Sequence, residues 1–76
     1  MPLFYFDVRD GEFLAKDPEG TELPDIEAAL VEAQRVAREL AIEDLKQGIP
    51  IDGRLIEILD QGHIKKAEYL VRRVLG

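Results

Sequence analysis

Between Pro24 and Gln47 the chain carries an uninterrupted stripe of small and aliphatic side chains, and what lies on either side must serve it. Ile26, Ala29, Leu30, Ala33, Val36, Ala37, Leu40 and Ala41 recur every three to four residues. That spacing gathers them on one face of an α-helix. Glu27, Glu32, Arg35, Arg38, Glu39 and Glu43 occupy the other face. Pro24 suits a first helical turn, and Asp25 and Glu27 place negative charge at the positive end of the helix dipole. Either Leu23 or Asp25 serves as the cap. Gly48 offers a left-handed terminus, and Pro50 forbids continuation. The pairs Glu32–Arg35 and Arg35–Glu39 add about 0.2–0.5 kcal/mol each. Half of the stripe is alanine, so the helix must approach its partner layer closely.

That partner layer is legible on both sides. From Leu3 to Val8 the residues alternate, with Phe4, Phe6 and Val8 on one face and Leu3, Tyr5 and Asp7 on the other; this is the period of a strand. Asp10-Gly11 is a favoured pair for a type I′ hairpin turn. A second strand over residues 12–16 then returns antiparallel. Such a loop sets Arg9 opposite Glu12, Val8 opposite Phe13, Phe6 opposite Ala15 and Tyr5 opposite Lys16, the last within cation–π reach, and leaves Leu14 on the outer face beside Asp7. Asp17-Pro18-Glu19-Gly20 reads as a type I turn. After the helix, Asp52-Gly53 marks a turn, and residues 55–59 form a third strand. Asp60-Gln61-Gly62 is then a short hairpin loop. With three residues and a left-handed Gly62 it pairs Ile58 with Ile64 and Glu57 with Lys65; with two it pairs Leu59 with Ile64 and Glu57 with Lys66. Residues 64–70 read as a last strand with a less ordered or helical end. The expected fold is α+β, in the order ββαββ: an antiparallel sheet of two hairpins packed on one long amphipathic helix, with residues 1–76 as one domain.

Composition narrows the chemistry. A chain of 76 residues buries about 60% of its unfolded surface, which leaves little room for a deep cleft. Without cysteine there is no disulfide scaffold and no thiolate zinc site. No apolar run reaches the roughly 18 residues of a membrane span, and the acidic residue at position 7 comes too early for a signal peptide; the expected location is cytoplasmic. The net charge of −6 is uneven. Residues 1–60 hold fifteen acidic against six basic side chains, while residues 61–76 hold Lys65, Lys66, Arg72 and Arg73 against Glu68. An acidic body repels phosphate backbones, which argues against general nucleic-acid binding.

Several segments together resemble a known family. They are Tyr5-Phe6-Asp7-Val8-Arg9-Asp10-Gly11, Asp17-Pro18-Glu19-Gly20, Glu22-Leu23-Pro24-Asp25, the alanine-rich helix, and Asp52-Gly53-Arg54. The family consists of short bacterial proteins, mainly alphaproteobacterial and of the rhizobial type, with an F-D-x-R-D-G opening and an E-L-P-D helix start. The resemblance covers residues 3–62. It is a domain of unknown function, so the resemblance implies the fold and brings no activity and no catalytic residues.

Candidate chemistry is sparse. His63 is the only histidine, and its neighbours Gly62 and Ile64 do not ligate; it reads as a solvated turn residue. Asp7, Asp10, Asp17 and Glu19 would suit a hard cation such as calcium or magnesium, yet turns recruit aspartate for backbone hydrogen bonds anyway. With no serine or cysteine and Thr21 as the one threonine, no nucleophilic triad assembles. The expectation is a non-enzymatic interaction module without metal or cofactor. One helix cannot cover both faces of a four-stranded sheet, so Tyr5 and Leu14, joined in one hairpin register by Leu55 and Leu59, are expected on an uncovered face; the chain is expected to self-associate into a dimer through that face or an edge strand, with an unidentified protein partner left open. The alternative is a small regulatory nucleic-acid binder acting through Lys65, Lys66, Arg72 and Arg73, with Tyr69 between them to stack.

Overall fold

The computed structural model describes residues 1–50 and 53–75. Its chain order is β1 (Leu3–Asp10), β2 (Phe13–Ala15), β3 (Thr21–Glu22), α1 (Ile26–Gln47), β4 (Arg54–Leu59), β5 (Lys65–Leu70) and a closing 3-10 turn (Val71–Leu75). All pairings are antiparallel, in the spatial order β2-β1-β4-β5, with β3 also paired to β1. The α+β reading and the element order therefore hold, with one added strand.

Helix α1 forms where the stripe demands it. Asp25 is the cap, its carboxylate accepting from the Ala28 amide at 2.9 Å. At the far end Gly48 is left-handed, and the Ile49 amide donates to the Asp44 carbonyl at 2.8 Å. The four alanines, Ala29, Ala33, Ala37 and Ala41, are buried against Phe4, Phe6, Ile56 and Ile58. Ile26, Leu30, Val36 and Leu40 flank that contact. The stripe ends on a charged residue: Asp44 is buried and pairs with the Arg54 guanidinium at the start of β4. Val71, in the 3-10 turn, is fully buried and joins the core beyond the last strand.

The first hairpin differs from its expected register. Asp10 pairs with Phe13, Arg9 with Leu14 and Val8 with Ala15, so the loop is Gly11-Glu12 rather than Asp10-Gly11. Gly11 has φ 62° at the first central position, the place where a type II′ turn needs glycine. A type I′ turn would require a left-handed Asp10 as well. The slip moves each partner by two residues and keeps every side chain on its expected face. It also leaves Phe13 opposite Asp10 and 77% exposed. The Arg9–Glu12 and Tyr5–Lys16 pairs do not form.

The second hairpin matches neither expected register. Leu59 pairs with Lys65, Ile58 with Ala67 and Glu57 with Glu68, with a bulge between. The loop spans residues 60–64, and the Asp60 carboxylate accepts from the Gly62 and Ile64 amides at 2.9 and 3.0 Å. The left-handed residue is His63, φ 62°, and not Gly62. Residues 65–70 are strand with a helical end, as expected. Asp52 of the Asp52-Gly53 turn lies outside the described residues.

Replacing Ala37 by leucine forces a larger side chain between helix and sheet. Ala37→Leu is expected to lower unfolding stability by about 1–3 kcal/mol, measured as a shift of the urea midpoint.

Candidate functional site

The pairings arrange the sheet face opposite α1 into three rows. Tyr5, Leu59 and Lys65 make the first; Asp7, Glu57 and Glu68 the second; Leu14, Arg9, Leu55 and Leu70 the third. Partners in register share a face, so Tyr5, Leu14, Leu55 and Leu59 stand on one side of the sheet, with the carboxylate row between the first pair, Tyr5 and Leu59, and the second, Leu14 and Leu55. Each of the four is half-buried. Leu70 completes the third row and was not foreseen, because it depends on the bulge that sets the β5 register.

The middle row has three carboxylates side by side across β1, β4 and β5. Like charges in such positions repel, and the neighbouring rows answer them. The Arg9 Nε donates to Glu57 at 2.9 Å, and the Lys65 ammonium lies 3.7 Å from Glu57 and 2.5 Å from Glu68. The bond from Arg9 holds the Glu57 carboxyl below its ordinary value of 4.5, against the opposing effect of burial. Asp7, also buried, accepts instead from the Asp17 amide at 3.0 Å.

Asp17 explains why the sheet edge is interrupted between β2 and β3. Its carboxylate accepts from the Phe6 amide at 3.2 Å, and from the Glu19 and Gly20 amides at 3.2 Å each. It thus stands in for a strand partner where the ladder is broken. Gly20 then lies over the Tyr5 ring. A β-carbon there would sit 3.0 Å from Tyr5 Cε1, and φ is 73°, so two constraints require glycine. On the same ring His63 stacks, with centroids 4.3 Å apart and planes at 22°. Tyr5 thereby joins the tongue formed by residues 16–20 to the β4–β5 loop.

These contacts reassign the suspected cation ligands. Asp7 and Asp17 hold backbone amides, and among the described residues no group of three histidine or acidic side chains is placed to hold a metal ion. The basic residues of the C-terminal segment meet different partners. Lys65 is engaged by Glu57 and Glu68, and Lys66 lies 3.6 Å from Asp60. Arg73 sits over the Tyr69 ring at 5.5 Å, in the 3-10 turn that also carries Arg72. Among the described residues no helix is long and apolar enough to cross a membrane.

The family of the domain of unknown function DUF6894 matches residues 3–65. The chain belongs to that family. The matched span covers β1 through the start of β5 and so includes the tongue, the alanine helix and most of the three-row face. No curated protein and no solved structure matches the chain.

Two outcomes are expected. In Asp17→Ala the Phe6 amide loses its acceptor; stability should drop by about 1–3 kcal/mol, and hydrogen exchange at Phe6 should accelerate with it. Separately, Glu57 should titrate below 4.5 by carboxyl NMR, and Arg9→Gln should raise that midpoint. Because the folded carboxyl binds its proton less readily than the unfolded one, the stability this pair contributes is full above the unfolded value. It drains as pH falls through the lower folded value.

Proposed function

We propose that this member of the DUF6894 family is a non-enzymatic, cytoplasmic interaction module that self-associates face to face through the outer side of its sheet. The observation that supports it is the third row, where Leu14, Leu55 and Leu70 extend across β2, β1, β4 and β5 with only Arg9 among them. Tyr5 and Leu59 add apolar surface on the far side of the carboxylates. Arg9, Glu57, Lys65 and Glu68 are already joined in ion pairs, so covering them strands no lone charge. A cysteine-free chain needs no oxidising compartment.

The dimensions favour the same reading. The chain exposes 5059 Å², against about 4,700 Å² expected for a monomer of its mass, and its thinnest extent is 17 Å. It is a two-layer slab with one broad face left open. A stable pair requires about 800 Å² from each partner, and the 37 × 25 Å plan of the slab can supply it. The edges are poorer candidates. β2 is three residues long, and β5 opens with Lys65 and Lys66, charges that discourage strand addition. Nucleic-acid binding is less favoured, since both lysines are engaged by carboxylates.

Light scattering at high micromolar concentration should give about twice the chain mass of 8.6 kDa, consistent with an isologous dimer. Leu55→Lys and Leu14→Lys should each return the chain to monomer while circular dichroism stays unchanged. A mass of 8.6 kDa for the unaltered chain would remove the proposal.

A further inference from the structure

On the helix side of the sheet, away from the face just described, lies an open hollow of about 190 Å³ lined by Gln34, Arg38, Tyr69 and Val74. Three elements build it. Gln34 and Arg38 are one turn apart on α1, so their side chains share a face. Tyr69 comes from the inner side of β5, where it pairs with Ile56. Val74 comes from the 3-10 turn. Arg73, from the same turn, places a second guanidinium 5.5 Å from the centroid of the Tyr69 ring that forms one wall.

The electrostatics set this hollow apart from the ion-paired outer face of the sheet. Acidic side chains outnumber basic ones sixteen to ten, and Arg9, Arg35, Arg54, Lys65 and Lys66 all have carboxylate partners. Among the described residues, neither Arg38 nor Arg73 forms an ion pair. One uncompensated guanidinium, Arg38, thus lines the concavity, a second, Arg73, lies over the ring of the Tyr69 wall, and the other polar groups of the lining, an amide and a phenol, can both donate. A planar guanidinium fork matches the oxygens of phosphate in pairs. The volume falls below the roughly 300–1,000 Å³ of sites that enclose a drug-sized ligand. A compact dianion fits both the space and the charge.

We infer that this hollow is a binding site for a phosphate group, either the free ion or the end of a phosphomonoester, held by Arg38 and Arg73 with Gln34 and Tyr69 as further donors. The phosphomonoester carries about −1.5 to −2 at neutral pH, close to the charge the two arginines leave unbalanced. Nothing in this inference depends on self-association, because the site uses the opposite side of the sheet.

The test is amide NMR of the full chain titrated with sodium phosphate at neutral pH, with sodium chloride at matched ionic strength as the control and O-phosphoserine as a second arm. Saturable shifts confined to residues 34–38 and 69–74, with a dissociation constant on the order of 1 mM or tighter, are expected with phosphate and absent with chloride. Arg38→Gln, at an exposed helix position, should weaken binding about tenfold or more without altering the fold, and Arg73→Gln should do the same. Equal binding of both ligands identifies the free ion as sufficient, and tighter phosphoserine binding identifies an esterified phosphate as the better occupant. Shifts that match chloride, fail to saturate, or persist unchanged in Arg38→Gln overturn the site.

Discussion

The fold depends on the close seating of four alanines against four large side chains. Ala29, Ala33, Ala37 and Ala41 contribute almost no bulk, so Phe4, Phe6, Ile56 and Ile58 fill the space between the layers. Packing of this kind is intolerant of added volume. It also fixes which strands must lie beneath the helix: β1 and β4, the carriers of those four residues, become the centre of the sheet. β2, β3 and β5 are placed at its margins as a result. Every other surface of the molecule follows from that seating, including the face left without a layer and the hollow between α1, β5 and the closing turn.

Polar groups complete what apolar packing leaves open. Asp17 supplies the acceptor that the Phe6 amide lacks where the edge ladder breaks. Asp60 gathers the amides of the second hairpin loop, and Arg54 answers the one carboxylate that falls in the helix stripe. In each case the residue acts on backbone or buried charge within a few ångströms. Asp7 and Asp17, which sequence alone groups with Asp10 and Glu19 as possible cation ligands, belong to this class of structural hydrogen bonding.

What the sequence revealed depended on how local the signal was. Helix α1 was readable because its period, its start at Pro24-Asp25 and its stop at Gly48 all agreed within one segment. The outer-face position of Tyr5 and Leu14 was readable because parity along a strand survives a register slip of two, while that of Leu55 and Leu59 hung on which register the second hairpin took. Partner identities were not, since they turn on a single residue: whether Asp10 or Glu12 shares the turn with Gly11, and whether Gly62 or His63 takes the left-handed position. The Tyr5–His63 stack, the Leu70 position and the hollow at Tyr69 arise from long-range closure, and no local pattern announces them. Strand β3 was missed because it is two residues long and is held by Leu3 and Phe4 at the start of β1, across the intervening β2 and tongue.

The placement of β1 beside β4 has a kinetic side. These two strands carry most of the sheet's ladder yet lie on opposite sides of a 22-residue helix, so their union must close a loop of more than forty residues. Closing it costs chain entropy before any ladder bond is gained. A helix whose own period and caps let it form early shortens that search, since it brings the two halves within reach as a single rigid span of about 33 Å. The long closure of β1 onto β4, more than either short hairpin turn, is therefore the entropically costly step in assembling the sheet.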